Sequence, residues 1–234
     1  MGRALVFVVM VGCAPSLPTS TPHGTTVALV AGAVAIPNET MEFRVAVRGV
    51  TLGMVQTAIG RPGWVEGRRA IILHSRGEGA GLVAVFGSLV WEHTTTLDLE
   101  RGLPIEDHDE AWVEMAGEKE HANEHHTWEP DELRHDLHSA IGALRAWRSV
   151  RGERTEIELA IVGDHFDLEI WNAGTMWLAS AHKPAVRYDG VAHRQFHFSF
   201  WISDDSARVP LAFRAESPVG TITVDLVDYQ VPPD

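Results

Sequence analysis

Apolar and polar residues alternate with a period of two over most of this chain, the period of strands with one buried face. From Met41 to Val47 the apolar positions are Met41, Phe43, Val45 and Val47, and Leu52 to Ile59 returns after a turn near Arg48 to Thr51. Arg61-Pro62-Gly63 interrupts the pattern and Ala70 to Arg76 resumes it. Leu82 to Val90 holds a short helical turn before a strand through Trp91 to Leu99, and Arg101 to Pro104 reads as a turn. In the C-terminal half, Thr155 to Val162 and His165 to Trp171 flank Gly163-Asp164, a hairpin signal, and Thr175 to Ser180 follows. Val191 to Ile202 alternates most cleanly, with Phe196, Phe198, Phe200 and Ile202 on one face and His193, Gln195, His197 and Ser199 on the other. Leu211 to Ala215 and Thr221 to Tyr229 are the last two strands.

One segment has helical spacing instead. Pro130-Asp131-Glu132 has the form of a helix opening, with acids where the dipole favours them. Leu133, Leu137, Ala140, Ile141 and Leu144 then recur every three or four residues, and cations from Arg145 to Arg148 suit the C-terminal end. The expected fold is mainly β: a large curled antiparallel sheet, half-barrel or barrel-like, with one principal helix packed on it.

The start of the chain follows neither period. Arg3, the apolar run Ala4 to Met10 and Val11-Gly12 before Cys13 have the form of a lipoprotein-type signal peptide over residues 1–12. Cys13, the only cysteine, is then the lipidation site, and no disulfide framework is available to the fold. The competing readings are a buried N-terminal strand, or a start codon placed too early, with a free thiol. Ala14 to Gly24 is rich in Pro, Ser and Thr without charge, the composition of an extended spacer. Thr25 to Ile36 is apolar but well short of the ~20 residues of a spanning helix. The expected organisation is a signal peptide at 1–12, a lipidated Cys13 with a tether over 13–36, and a single β-rich domain over 37–234.

Charge narrows the partners. The net charge is −13, and Glu100 to Glu132 alone holds twelve acidic and two basic residues. That face repels nucleic acid and anionic headgroups. It is either a solvated surface or a surface attracting a cation or a basic partner. No Gly-rich phosphate loop, dinucleotide fingerprint or paired-cysteine motif occurs, so no cofactor is implied.

Two histidine clusters invite chemistry. His121, Glu124, His125 and His126 would chelate a metal on a helix, where His121 and His125 lie one turn apart. On a strand those two are about 13 Å apart, and only Glu124 and His126, neighbours on the other face, could chelate together, so the site fails. His135, Asp136, His138 and Ser139 resemble parts of a hydrolase, yet no oxyanion-hole or Gly-x-Ser-x-Gly context accompanies them. Helix-surface polarity or capping contacts to the sheet account for them better.

Three stretches resemble a known family. Met41 to Ile59, with Gly53, is similar to its paired strands; Asp136 to Trp147 (DLHSAIGALRAW) is similar to its short helix. Phe200 to Gln230, with Asp204, Asp205, Arg208, Pro210 and Gly220, matches most closely. From Pro37 to Tyr229 the chain resembles the bacterial exported proteins grouped as domain of unknown function 3108. The resemblance implies a β-rich fold and an envelope location, and brings no activity. It also favours a strand at His121 to His126, a stretch that departs from the family pattern. On their own chemistry, Asp204 and Asp205 form a turn that Arg208 would pin by pairing with either, and Pro210 sets the entry to the next strand. A cation site or catalytic carboxylate pair is the alternative there.

An apolar concave face in a sheet too open to fill itself makes a ligand cavity. Its expected lining is Ile141, Leu144, Leu168, Ile170, Trp177, Phe196, Phe198, Phe200 and Ile202; the alternative is a solid core. The leading functional expectation is a non-enzymatic envelope lipoprotein, anchored to the membrane through Cys13, that carries an apolar or amphipathic ligand such as a lipid or envelope-polymer intermediate. Ala14 rather than Asp after Cys13 places it at the periplasmic face of the outer membrane. The alternatives are an envelope scaffold whose acidic region docks a protein partner, and a metal-dependent hydrolase using His121, His125 and His126.

Overall fold

The computed structural model describes residues 25–29, 32–115, 117–129, 132–161, 164–192, 196–217 and 220–231. The signal peptide, Cys13 and the spacer to Gly24 lie outside the described residues, as do His193 and Gln195.

The alternating stretches pair into one antiparallel sheet of thirteen strands. Its first arm runs β1 (Thr40–Val47), β2 (Val50–Ile59), β3 (Gly63–Val65), β4 (Arg68–Gly79), α1 (Leu82–Phe86), β5 (Gly87–Asp98), β6 (Pro104–Met115) and β7 (Glu118–Thr127). After α2 (Leu137–Ala146), the second arm is β8 (Arg154–Ile161), β9 (Asp164–Leu178), β10 (Lys183–Ala192), β11 (Phe196–Ser203), β12 (Pro210–Ser217) and β13 (Gly220–Gln230). The spatial order is β7-β6-β5-β4-β2-β1-β13-β12-β11-β10-β9-β8, with β3 a short flap on β4. The pairing of β1 with β13 joins the two arms at the centre of the sheet. The sheet edges are therefore β7 and β8, consecutive in sequence, and the segment between them carries α2.

The helix begins later than its spacing predicts. Asp136 is the N-cap, its carboxylate accepting from the Ser139 N–H at 2.8 Å, and Leu133 upstream is 75% exposed. Before the cap the chain runs extended along β8: the His135 N–H donates to the Glu158 carbonyl and the Ala160 N–H to the His135 carbonyl, each at 2.8 Å. That pairing with the sheet competes successfully with the helix-favouring acids before it. Ala140 and Leu144 then pack into a core with Ile157, Ile170, Tyr188, Phe198, Phe200 and Ile202. A second core joins Met41, Ile59, Ile71, Leu73 and Leu97 of the first arm to Trp201, Val209 and Leu211 of the second.

Residues 25–29 and 32–36, assigned above to the tether, contact the folded body instead. The Val27 N–H donates to the Arg154 carbonyl on β8, and the Val34 N–H donates to the Gly142 carbonyl on α2. Gly142 is needed there, since a Cβ would lie 2.8 Å from that of Ala33. Two strand boundaries also differ. Val191 to Ile202 is two strands, β10 and β11, with Ala192 opposite Phe196. His165 to Trp171 and Thr175 to Ser180 are mostly one long strand, β9, bulged opposite Arg187 and Tyr188. The acidic region forms the β6–β7 hairpin, legible only once the sheet supplies a partner for its polar strands.

A buried ion pair clamps α2 to the sheet centre. Arg145 donates to both carboxylate oxygens of Glu39, at 2.7 and 2.9 Å, and to the Ala207 carbonyl. Both side chains are enclosed, so the charges are stabilised by each other and not by water. Replacing Glu39 alone (Glu39→Leu) strands a buried guanidinium and is expected to lower unfolding stability by about 3–5 kcal/mol. The double variant Glu39→Leu/Arg145→Met should recover most of that loss. Urea unfolding of the three proteins checks this, and equal losses in single and double variants would refute the pairing argument.

Candidate functional site

The two edge strands, β7 and β8, do not pair with each other. Between them, at the N-terminal end of α2, lies a cleft of about 410 Å³. Register builds its floor: Ser75, His93, Asp109 and Glu124 are successive partners across β4, β5, β6 and β7, and Thr95, Asp107 and His126 form the next row. Because side chains two residues apart share a face, both rows point the same way, together with Trp91. Trp128 and Leu137, with Ile161 of β8, complete the apolar part of the lining.

Behind the cleft is a fully connected buried network. His93 donates from Nδ1 to Asp109 and from Nε2 to Asp136, each at 3.0 Å. The Thr95 hydroxyl donates to Asp136 Oδ2 through a short hydrogen bond. With its single hydrogen spent there, Thr95 must accept from His138 Nδ1 at 2.7 Å. His138 Nε2 is then an acceptor, served by the Ser75 hydroxyl at 2.8 Å, and Ser75 in turn accepts from Thr57 at 2.8 Å. Every donor and acceptor in the chain has one consistent role, with His93 charged and His138 neutral.

The electrostatics agree with that assignment. Burial opposes a charge on His93, but the hydrogen bonds and negative charge of Asp109 and Asp136 push it up to about 10. Burial, reinforced by the charge on His93, pushes His138 down to about 3. Burial works against the Asp136 carboxylate, yet the His93 hydrogen bond and nearby positive charge hold it well below the usual carboxylate range. Burial raises Asp107, against the opposing effect of the Trp128 indole N–H, which donates to it at 2.6 Å. Trp91 lies parallel to His93 and donates to Asp109 at 3.2 Å.

His93, Asp136 and His138 place one ligand atom each within 4.8 Å of one another, the spacing of a metal site. The Thr95 hydroxyl, however, already contacts all three, so the group is internally satisfied as a hydrogen-bond network.

The residues singled out from sequence fall in several places. The strand at His121 to His126 spreads its histidines. His121 bonds Glu110 at 2.8 Å and stacks on Trp112, His125 meets His108 edge-on, and His126 lies edge-on to Trp128, 4.0 Å from Glu132. They do not converge on one ion, so the metal-dependent hydrolase reading loses its ligand set; Glu124 and His126 instead face the cleft. His135 lies 3.2 Å from Ser139, but that hydroxyl is buried and donates to the Asp136 carbonyl. Of the expected cavity lining, Ile141, Leu144, Leu168, Ile170, Phe196, Phe198, Phe200 and Ile202 pack against one another as core. Trp177 is 60% exposed and faces away from them.

The family-like turn is structural in a different way from that expected. Asp205 accepts from Ser203 and from the backbone of Ala207 and Arg208, while Asp204 is exposed. The Arg208 side chain pairs with neither aspartate; it reaches the carbonyls ending α2. Pro210 opens β12, and Gly220 opens β13 with a φ of 120°. Sequence reasoning missed His93, Thr95 and Asp109. The available signal was polar residues at the core-facing positions of a strand, between Trp91 and Leu97.

No family model matches the chain, and no curated protein matches it in sequence. Among solved structures it is similar to a β-barrel-like protein of domain of unknown function DUF1849 from Brucella abortus, with a TM-score of 0.52 and 8% identity over 86% of this chain and all of that one. It also aligns with the lipoprotein LppX of Mycobacterium tuberculosis at a TM-score of 0.30 and 10% identity, over 85% of this chain and 89% of that one. The first likeness establishes the fold: a β-barrel-like sheet, here open between β7 and β8. No helix among the described residues is long and apolar enough to cross a membrane.

The two histidines give stability a maximum in pH. His138 binds its proton more weakly folded than unfolded, so stability falls as pH drops below about 6.5, and Asp136 adds to that fall below about 4. His93 binds more tightly folded, so its contribution is complete below about 6.5 and is lost as pH rises towards 10. Urea unfolding between pH 4 and 10 should peak near 6.5, with arms on the order of a few kcal/mol. His93→Gln should flatten the alkaline arm and His138→Gln the acid arm. An alkaline arm that persists in His93→Gln would defeat the assignment.

Proposed function

We propose that this protein is a non-enzymatic binding module of the bacterial cell envelope whose binding site is the cleft between β7 and β8. One observation carries the reading: the cleft combines two tryptophans with Asp107, Asp109, Glu124 and Glu132. Its buried cation, His93, is already shared between Asp109 and Asp136. Carboxylates beside aromatic and aliphatic surface favour an amphipathic ligand that carries a positive charge. The concave apolar face, filled by α2, leaves that role to the cleft.

Exported location through the signal at residues 1–12, lipidation of Cys13, placement at the periplasmic face of the outer membrane and kinship with domain of unknown function 3108 belong to the same proposal. They are supported by the N-terminal pattern and the stretch Phe200 to Gln230. A second reading, an envelope scaffold, is favoured by β7, an edge strand of ten exposed residues open to a partner strand.

Native mass spectrometry of the exported, mildly purified chain should show a discrete excess mass that organic extraction removes. Titration with dodecylamine should quench tryptophan fluorescence, and dodecanoate should not. Glu124→Gln/Glu132→Gln should weaken amine binding about tenfold, equivalent to ~1.4 kcal/mol. A bare chain mass with no amine response would shift the assignment to the scaffold. Cys13→Ser should leave the protein in the soluble fraction, and retention on the membrane would remove the anchor from the proposal.

A further inference from the structure

We infer that a second, basic cleft at the C-terminal end of α2 binds a phosphoryl group. The cleft, of about 560 Å³, lies between the loop after α2, the bend of β9 at Asn172 to Thr175, and the turn carrying Asp204 and Arg208. Arg148, Arg151 and Arg208 line it against a single acid, Asp204, in a chain whose net charge is −13.

Arg208 is the built part of this site. It is 4% exposed, donating from Nε to the Arg145 carbonyl and from Nη2 to the Trp147 carbonyl and the Tyr188 hydroxyl. Its Nη1 has no partner among the described residues, and Arg208 reaches the cleft. The contrast with Arg145, in the last turn of α2, is direct: Arg145 has the Glu39 carboxylate, whereas Arg208 has only carbonyl dipoles and a phenol. A buried cation balanced by dipoles alone gains from an anion placed beside it.

The other two arginines are free to complete the contact. Arg148 and Arg151 are exposed and form no hydrogen bond or ion pair among the described residues. Arg151 is held against β9 by Gly174, whose φ is 110° and whose Cβ, if present, would lie 3.3 Å from Arg151 Cδ. Asn172 and Ser149 are bonded to each other and do not compete for the arginines. Guanidinium forks match the oxygens of a phosphoryl group in bidentate fashion, and three of them exceed what one carboxylate ligand would neutralise. The shared chemistry is that of free phosphate and of a phosphodiester headgroup. The site lies beyond the acidic β6–β7 hairpin, at the opposite end of α2.

Isothermal titration of the whole mature chain with inorganic phosphate and with glycerophosphoglycerol, the soluble headgroup of phosphatidylglycerol, tests this. Binding of at least one is expected, weakened tenfold or more in Arg148→Ala/Arg151→Ala. The unfolding midpoint of that variant should be nearly unchanged, because neither side chain has a hydrogen bond or ion pair among the described residues. Phosphate alone binding assigns the site to the free ion, glycerophosphoglycerol alone to a headgroup, and both to the phosphoryl group itself. No heat from either at millimolar concentration, or equal binding by the double variant, overturns the proposal.

Discussion

The structure depends on how a short polar-ended helix is buried against an open sheet. A helix leaves unpaired N–H groups at its start and unpaired carbonyls at its end, and inside a protein both must find partners. Here Asp136 and the His93 network serve the start of α2, Arg208 serves its end, and Arg145 in its last turn locks the helix to Glu39. The three anchors draw on both arms of the sheet. Once α2 is held this way, its apolar face fills the concave surface, and the two edges are kept apart instead of closing on each other.

That arrangement explains why the candidate site is polar. An apolar groove would require the helix to stand away from Phe198, Phe200 and Ile202, whereas it packs directly on them. Space remains at the seam, where β5, β6 and β7 present three histidines and several acids beside tryptophans. The network behind the seam has a rigid logic, because each hydroxyl holds one hydrogen. Charged His93 and neutral His138 are consequences of which partner each hydrogen serves.

The two clefts also follow the polarity of α2. Acidic groups and the cap surround its N-terminal end, and arginines surround its C-terminal end, as the helix dipole favours. A chain with a large net negative charge thus keeps one concentrated basic site. The separation of the two charges is a property of the fold and is invisible in the total.

The pattern of the sequence alone determined the mainly β class, most of the strands and the presence of α2 with Ala140 and Leu144 facing the core, while His138, Ser139 and Arg145 are buried by the fold against that pattern. Period-two and helical spacing report which face of an element is buried, and those are local properties. The spacing of His121 and His125 likewise excluded a shared ion once β7 was a strand. Only the tertiary structure decided the rest. Pairing β1 with β13 made β7 and β8 the edges, and cross-strand register brought His93 and Asp109 together beneath Asp136, a residue far along the chain. It also sent Arg208 to the end of α2 in place of its neighbouring aspartates. Such contacts join residues distant in sequence, and no local periodicity encodes which distant strands will become neighbours.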